Sequence, residues 1–145
     1  NDLMRPTILA LDLEGTLISN AVSLILDRGL LPTLEQVSGQ FDQLVMFTTV
    51  PEPLLRRISE LLVREGHAPP WFMELGYTKW SGKTKDLRFV SSTLGDTLLL
   101  DDHCAYVHPG QEQWWIEVPL FGSPYDGSDE GLVAARCRIR RKLSI

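Results

Sequence analysis

The chain has 145 residues, 43% apolar and 23% charged, with a formal net charge of −5. That length and composition predict one globular domain over residues 1–145, burying about two-thirds of its unfolded surface. The acidic balance argues against a nucleic-acid partner, and no apolar run reaches the ~18 residues of a membrane span. Two cysteines, Cys104 and Cys137, without CxxC spacing predict a reducing compartment, the cytoplasm by default.

In chain order, Ile8 to Leu11 is continuously apolar and reads as a short strand buried on both faces. Ser19 to Leu31 reads as irregular or hairpin-like, with Gly29 as a turn point. Pro32 and Thr33 predict a helix start with Thr33 as N-cap; Leu34, Val37 and Phe41 follow at helical spacing, and Gly39 weakens it. Leu44 to Phe47 is a second buried strand. Leu54 to Arg64 is the clearest helix, with Leu54, Leu55, Ile58, Leu61 and Leu62 on one face and Gly66 closing it. Pro69 to Lys83 is a looser aromatic segment, and Lys85 to Thr93 reads as a short helix. Thr97 to Leu100 and Trp115 to Val118 are further strands, the latter followed by a Gly/Ser/Pro/Asp-rich loop. A last helix runs from about Ser128 to Lys142, and its basic stretch from Arg136 reads as solvated, dipole-favoured last turns.

Short apolar strands alternating with helices predict a three-layer α/β/α, Rossmann-like parallel sheet, whose binding crevice lies at the carboxyl ends of the strands. Those ends carry Asp12 and Glu14, then Thr48, then Asp101 and Asp102, with Lys85 preceding the third strand. Taken singly, Asp12 with Gly15 and Thr16 also fits turn chemistry, Thr48 a strand-end hydroxyl, and Lys85 a solvated lysine. Taken together, four acids cannot all stay ionised side by side without a cation. An oxygen-only donor set suits a hard ion such as Mg²⁺, which commonly shares its open positions with a phosphate. Phosphoryl transfer is the chemistry this set predicts, with a carboxylate nucleophile and a lysine that neutralises phosphoryl oxygens. A receiver domain uses a similar acid, threonine and lysine set, but there the acid pair comes first and the lysine last.

At these residues the chain resembles the haloacid dehalogenase-like phosphatase superfamily. The matching stretches are "LDLEGTL" around Asp12, "MFTT" at Thr48, "KDL" at Lys85 and "LLLDDH" at Asp101 and Asp102. More narrowly it is similar to the branch of small phosphatases acting on the RNA polymerase II C-terminal domain (NLI-interacting-factor-like), through "VMFTTVPE", "TKDL" and "IEVPLFGSPYDGSDEGL". The resemblance implies a Mg²⁺-dependent phosphomonoester hydrolase working through an aspartyl-phosphate. In it Asp12 is the nucleophile and a metal ligand. Glu14 is the proton carrier, with its backbone carbonyl on the metal. Thr48 and Lys85, with Thr49 and Gly15 beside them, hold the phosphate. Asp102 binds the metal, supported by Asp101. Glu14 stands where the superfamily usually has Asp, although enolase-phosphatases carry a similar D-x-E-G-T motif. His103 replaces a serine and reads as a loop residue or a substrate contact. The spans between Asp12, Thr48 and Lys85 are too short for a cap domain, which implies an open site suited to phosphate on a protein, or on a small molecule if oligomerisation closes it. The other reading is a catalytically weak domain of this type serving as a protein-binding module.

Overall fold

The computed structural model describes residues 5–18, 29–120 and 130–145. Five strands form one parallel sheet: β1 (Ile8–Leu11), β2 (Gln43–Met46), β3 (Gly76–Tyr77), β4 (Thr97–Asp101) and β5 (Trp115–Glu117), in the order β3-β2-β1-β4-β5. Three helices accompany them, α1 (Leu30–Ser38), α2 (Glu52–Arg64) and α3 (Gly131–Leu143). Residues 19–28 of the expected irregular stretch, and residues 121–129 of the expected loop and helix start, lie outside the described residues; Leu30 and Leu31, expected to be irregular, open α1 instead.

The apolar runs become central strands because side chains alternate between two covered faces. Register pairs Leu9 with Leu44 and Leu98, and Leu11 with Met46 and Leu100. These face α1, α2 and α3, whose Leu34, Ile58 and Ile139 join them in the larger core. Ala10, Val45 and Leu99 point the other way, into a smaller core with Phe47 and Leu87.

Strand order explains the asymmetry. The chain steps from β1 to β2 to β3 in one direction, then crosses back past β1 to β4 and β5. Right-handed crossovers therefore place α1 and α2 on one face, and the connections after β3 and β4 on the other. The expected α/β parallel sheet is present, and of its third layer the described residues form no α-helix on that second face. That face is covered by 3-10 turns at Leu87–Phe89, Cys104–Tyr106 and Glu112–Trp114, with Trp80, Val90 and Trp115 packed against the smaller core. The short helix expected over Lys85 to Thr93 is the first of these turns; with Gly95 beyond it the segment has no second turn of apolar spacing to extend it.

Helix ends differ from expectation for local reasons. α1 starts at Leu30, after Gly29 in the left-handed region (φ 86°). Thr33 lies inside that helix and donates its hydroxyl back to the Gly29 carbonyl at 2.8 Å, so it is not the N-cap. Pro32 is tolerated there because first-turn N–H groups lack helical acceptors anyway. Gly39 is the C-cap rather than an interior residue. α2 begins at Glu52 and is followed by Gly66 at φ 81°. Arg56 extends from α2 to the carbonyls of Leu75 (2.7 Å) and Met73 (3.2 Å), fastening the chain that leads into β3. β3 itself was not expected. At the opposite border, Arg138 and Lys142 of α3 donate to the carbonyls of Glu117 and Gln113, beside β5. No helix among the described residues is long and apolar enough to cross a membrane. Both cysteines are free thiols on the surface.

Candidate active site

The sheet's order reverses between β1 and β4, the place where open parallel sheets bind ligands at their carboxyl ends. Asp12 follows β1, Asp101 ends β4 and Asp102 follows it. The ladder carries on into the site: the Asp12 N–H donates to Leu100 O at 3.0 Å and the Phe47 N–H to Leu11 O at 2.8 Å. Thr48 follows β2, which pairs with β1 up to Leu11 and Met46, so it lies at the same end of the sheet as Asp12.

Lys85 is the centre of the arrangement. It is 1% exposed, and its Nζ donates to Asp101 Oδ2 at 2.5 Å and to Asp12 Oδ1 at 3.0 Å. The rings of Tyr106 and Phe47 lie 5.0 and 6.0 Å from the ammonium. The neighbouring lysines Lys79 and Lys83 are exposed. Asp101 is fully buried: its second oxygen accepts the His103 N–H at 2.9 Å and its carbonyl accepts the Trp115 indole N–H at 3.0 Å. It anchors Lys85.

Thr16 ties the remaining acids together. Its hydroxyl oxygen lies 2.8 Å from Asp12 Oδ2 and 2.9 Å from Asp102 Oδ1, and accepts the Asp102 N–H at 3.0 Å. A hydroxyl has one proton, so it donates to only one carboxylate at a time. Ligand oxygens of Asp12, Asp101 and Asp102 all lie within 4.8 Å of one another. Three carboxylates thus face one ammonium, and the group is short of positive charge. The deficit can be met by a proton or by a cation, and the all-oxygen donors fit a hard divalent ion. Thr16 was not among the expected site residues; the only sequence signal for it is a hydroxyl one tight turn beyond Asp12.

Electrostatics express the same deficit. Burial pushes the Asp12 carboxyl up to about 7, Lys85 opposing and Asp101 adding to the rise. Burial raises Asp101 as well, again against Lys85. Burial pulls the Lys85 ammonium down, but Asp12 and Asp101 together outweigh it and hold its pKa above the ordinary lysine value. A carboxyl raised in the fold opposes folding once the unfolded chain has ionised. Metal-free protein is therefore expected to lose stability as pH rises from about 4 to about 7, on the order of 4 kcal/mol from a shift of this size. Chemical denaturation across that range checks the slope, and magnesium should restore the loss at the upper end. A flat profile with no magnesium effect would refute the charge deficit.

The other expected residues divide. Gly15, at φ 79°, is required by geometry: a Cβ there would come within 2.9 Å of Leu120 Cδ1 and 3.0 Å of Asp102 Oδ2. It brings the turn close to Asp102. Glu14 is exposed at the rim, its backbone bridged to Ile18, and its carboxylate is not one of the three clustered acids. Thr48 is buried; its Oγ1 accepts the Val50 N–H at 3.1 Å, and its own proton has no acceptor among the described residues. The Trp80 indole N–H holds the Thr48 carbonyl at 3.0 Å, and the Tyr77 hydroxyl holds that of Val50 at 2.7 Å. Beside this loop lies a cleft of about 360 Å³, lined by Thr48, Thr49, Tyr77, Trp80 and Ser81 among others. His103 is an exposed loop residue whose Nδ1 accepts the Ala105 N–H at 3.2 Å, with its ring edge-on to Tyr106. No protein-family model matches this chain, and no curated protein matches it.

Proposed function

We propose that the chain is a Mg²⁺-dependent phosphomonoester hydrolase of the haloacid dehalogenase-like type. The observation that carries this reading is the buried Lys85 ammonium between Asp12 and Asp101, with Asp102 tied to Asp12 through Thr16, at the crevice of a parallel sheet. Asp12, Asp102 and, beside them, Asp101 would hold magnesium, which when bound neutralises phosphoryl oxygens and lets Asp12 ionise.

Asp12 attacks phosphorus with a carboxylate oxygen, and the phosphorus–oxygen bond to the leaving group breaks. Glu14, exposed at the rim, gives its proton to the departing oxygen. Water then attacks the aspartyl-phosphate and returns a proton to Glu14. The Asp12 oxygen–phosphorus bond breaks, releasing inorganic phosphate and the free carboxylate. Lys85 offsets charge on the phosphoryl oxygens through both displacements, and the uncommitted Thr48 hydroxyl proton supplies a donor to one of them. Spans too short for a cap leave the crevice open, which favours phosphate on a protein or another large substrate.

A magnesium-supplemented screen of phosphoserine peptides, sugar phosphates, nucleotides and an aryl phosphate tests this, with EDTA expected to stop turnover. Glu14→Gln should slow hydrolysis roughly 10²–10⁴-fold, as expected for loss of a general acid–base. If magnesium binds and no ester is hydrolysed, the reading gives way to a protein-binding module of the same fold.

A further inference from the structure

Lys85 sits in a segment with no regular structure of its own, yet its ammonium must reach two buried carboxylates. The segment from Thr84 to Leu87 is held residue by residue against the chain that follows β4. The Thr84 hydroxyl meets His108 Nδ1 at 2.7 Å. Lys85 pairs with Val107 in an isolated parallel bridge, its N–H donating to Tyr106 O at 2.6 Å. The last two positions converge on one side chain. Gln111 Nε2 donates to Asp86 Oδ1 at 2.8 Å, and Gln111 Oε1 accepts the Leu87 N–H at 2.9 Å. Gln111 is 4% exposed, so both ends of a buried amide serve the residues immediately after Lys85.

From this we infer that Gln111 is a positioning residue for Lys85. By fixing Asp86 and Leu87 it sets the reach of the lysine, so that Nζ falls between Asp12 and Asp101. The amide is suited to the task because it offers a donor to the Asp86 carboxylate and an acceptor to the Leu87 N–H at once. Asp86 stays an acceptor because the Arg88 guanidinium holds its carboxyl well below the usual range. The consequence for rate rests on the phosphatase reading of Lys85; the placement of Lys85 does not.

Two variants and two readouts separate the possibilities. Gln111→Leu removes both bonds. Gln111→Glu keeps an acceptor for Leu87 but turns a carboxylate oxygen towards Asp86, and protonation of that group restores the donor. The charged groups around it are Asp86, Arg88, His108 (3.6 Å from Asp86) and Glu112. Lysine-selective ¹⁵N NMR should show a slowly exchanging Lys85 ammonium in the wild type. In Gln111→Leu that signal is expected to shift or vanish while circular dichroism is retained, and kcat to fall about 10²-fold, the scale of a displacement near 1 Å. In Gln111→Glu, signal and kcat should recover on acidification from about pH 8 to about pH 5, relative to wild type at the same pH. An unchanged Lys85 signal in both variants overturns the inference; should Gln111→Leu fail to fold, Gln111→Glu decides alone. A Lys85 signal that responds in a protein that hydrolyses no ester upholds the positioning role and sinks the phosphatase reading instead.

Discussion

Asp12→Asn is expected to abolish phosphoester hydrolysis, by roughly 10⁴-fold or more, while raising the melting temperature of the metal-free protein. The first effect follows from the nucleophilic role proposed for Asp12: an amide oxygen forms no stable phosphoryl ester. The second follows from the site's charge deficit. Asparagine Oδ1 still accepts from Lys85, and its Nδ2 donates to Thr16, whose single proton is then free for Asp102. One buried charge disappears without orphaning a partner, so a gain of about 1 kcal/mol or more is expected. Thermal melts with EDTA and a turnover assay with magnesium read the two effects separately. Undiminished turnover ends the covalent mechanism, and a lower melting temperature ends the charge argument.

Lys85→Met should do the opposite. It removes the only cation that meets Asp12 and Asp101 among the described residues and leaves two buried carboxylates facing each other. Breaking a buried pair from one side costs about 3–5 kcal/mol, or about 10–15 °C in melting temperature for a domain of this size. Shape is nearly conserved, so the cost is mainly electrostatic and must depend on pH. With both carboxyls already raised by burial, protonation relieves the repulsion on the acid side. The destabilisation is expected to be small near pH 5, where Asp12 of the folded wild type is itself still protonated, and full near pH 8, where it is ionised beside Lys85. Denaturation midpoints at the two pH values measure it. An equal loss at both would assign the cost to packing instead.

Much of this arrangement was legible in the sequence, for a physical reason. β1, β2 and β4 are continuous apolar runs because both their faces are covered, and each run stops at a polar residue at the carboxyl end of the sheet: Asp12, Thr48, Asp101. What was illegible depends on neighbours. β3 is two residues long and exists because β2 offers it a free edge and Arg56 holds its approach. The adjacent acids Asp101 and Asp102 look equivalent in sequence; only their place at the strand end turns one towards Lys85 and the other towards Thr16. Lys85 is marked in the sequence only by its "KDL" stretch; its burial, where Lys79 and Lys83 are exposed, comes from neighbours distant in the chain. Among the described residues the second face is covered without an α-helix, by large aromatic side chains such as Trp80 and Trp115 packed against the cluster of Ala10, Val45, Phe47, Leu87 and Leu99.

The basic end of α3 acquires a meaning from where its side chains go. β5 is the last strand of the sheet, and an uncovered border of that kind is a template on which another chain can add a strand. Arg138 and Lys142 occupy the carbonyls at and just before β5. Those two bonds leave fewer free acceptors along that border for an added strand to pair with.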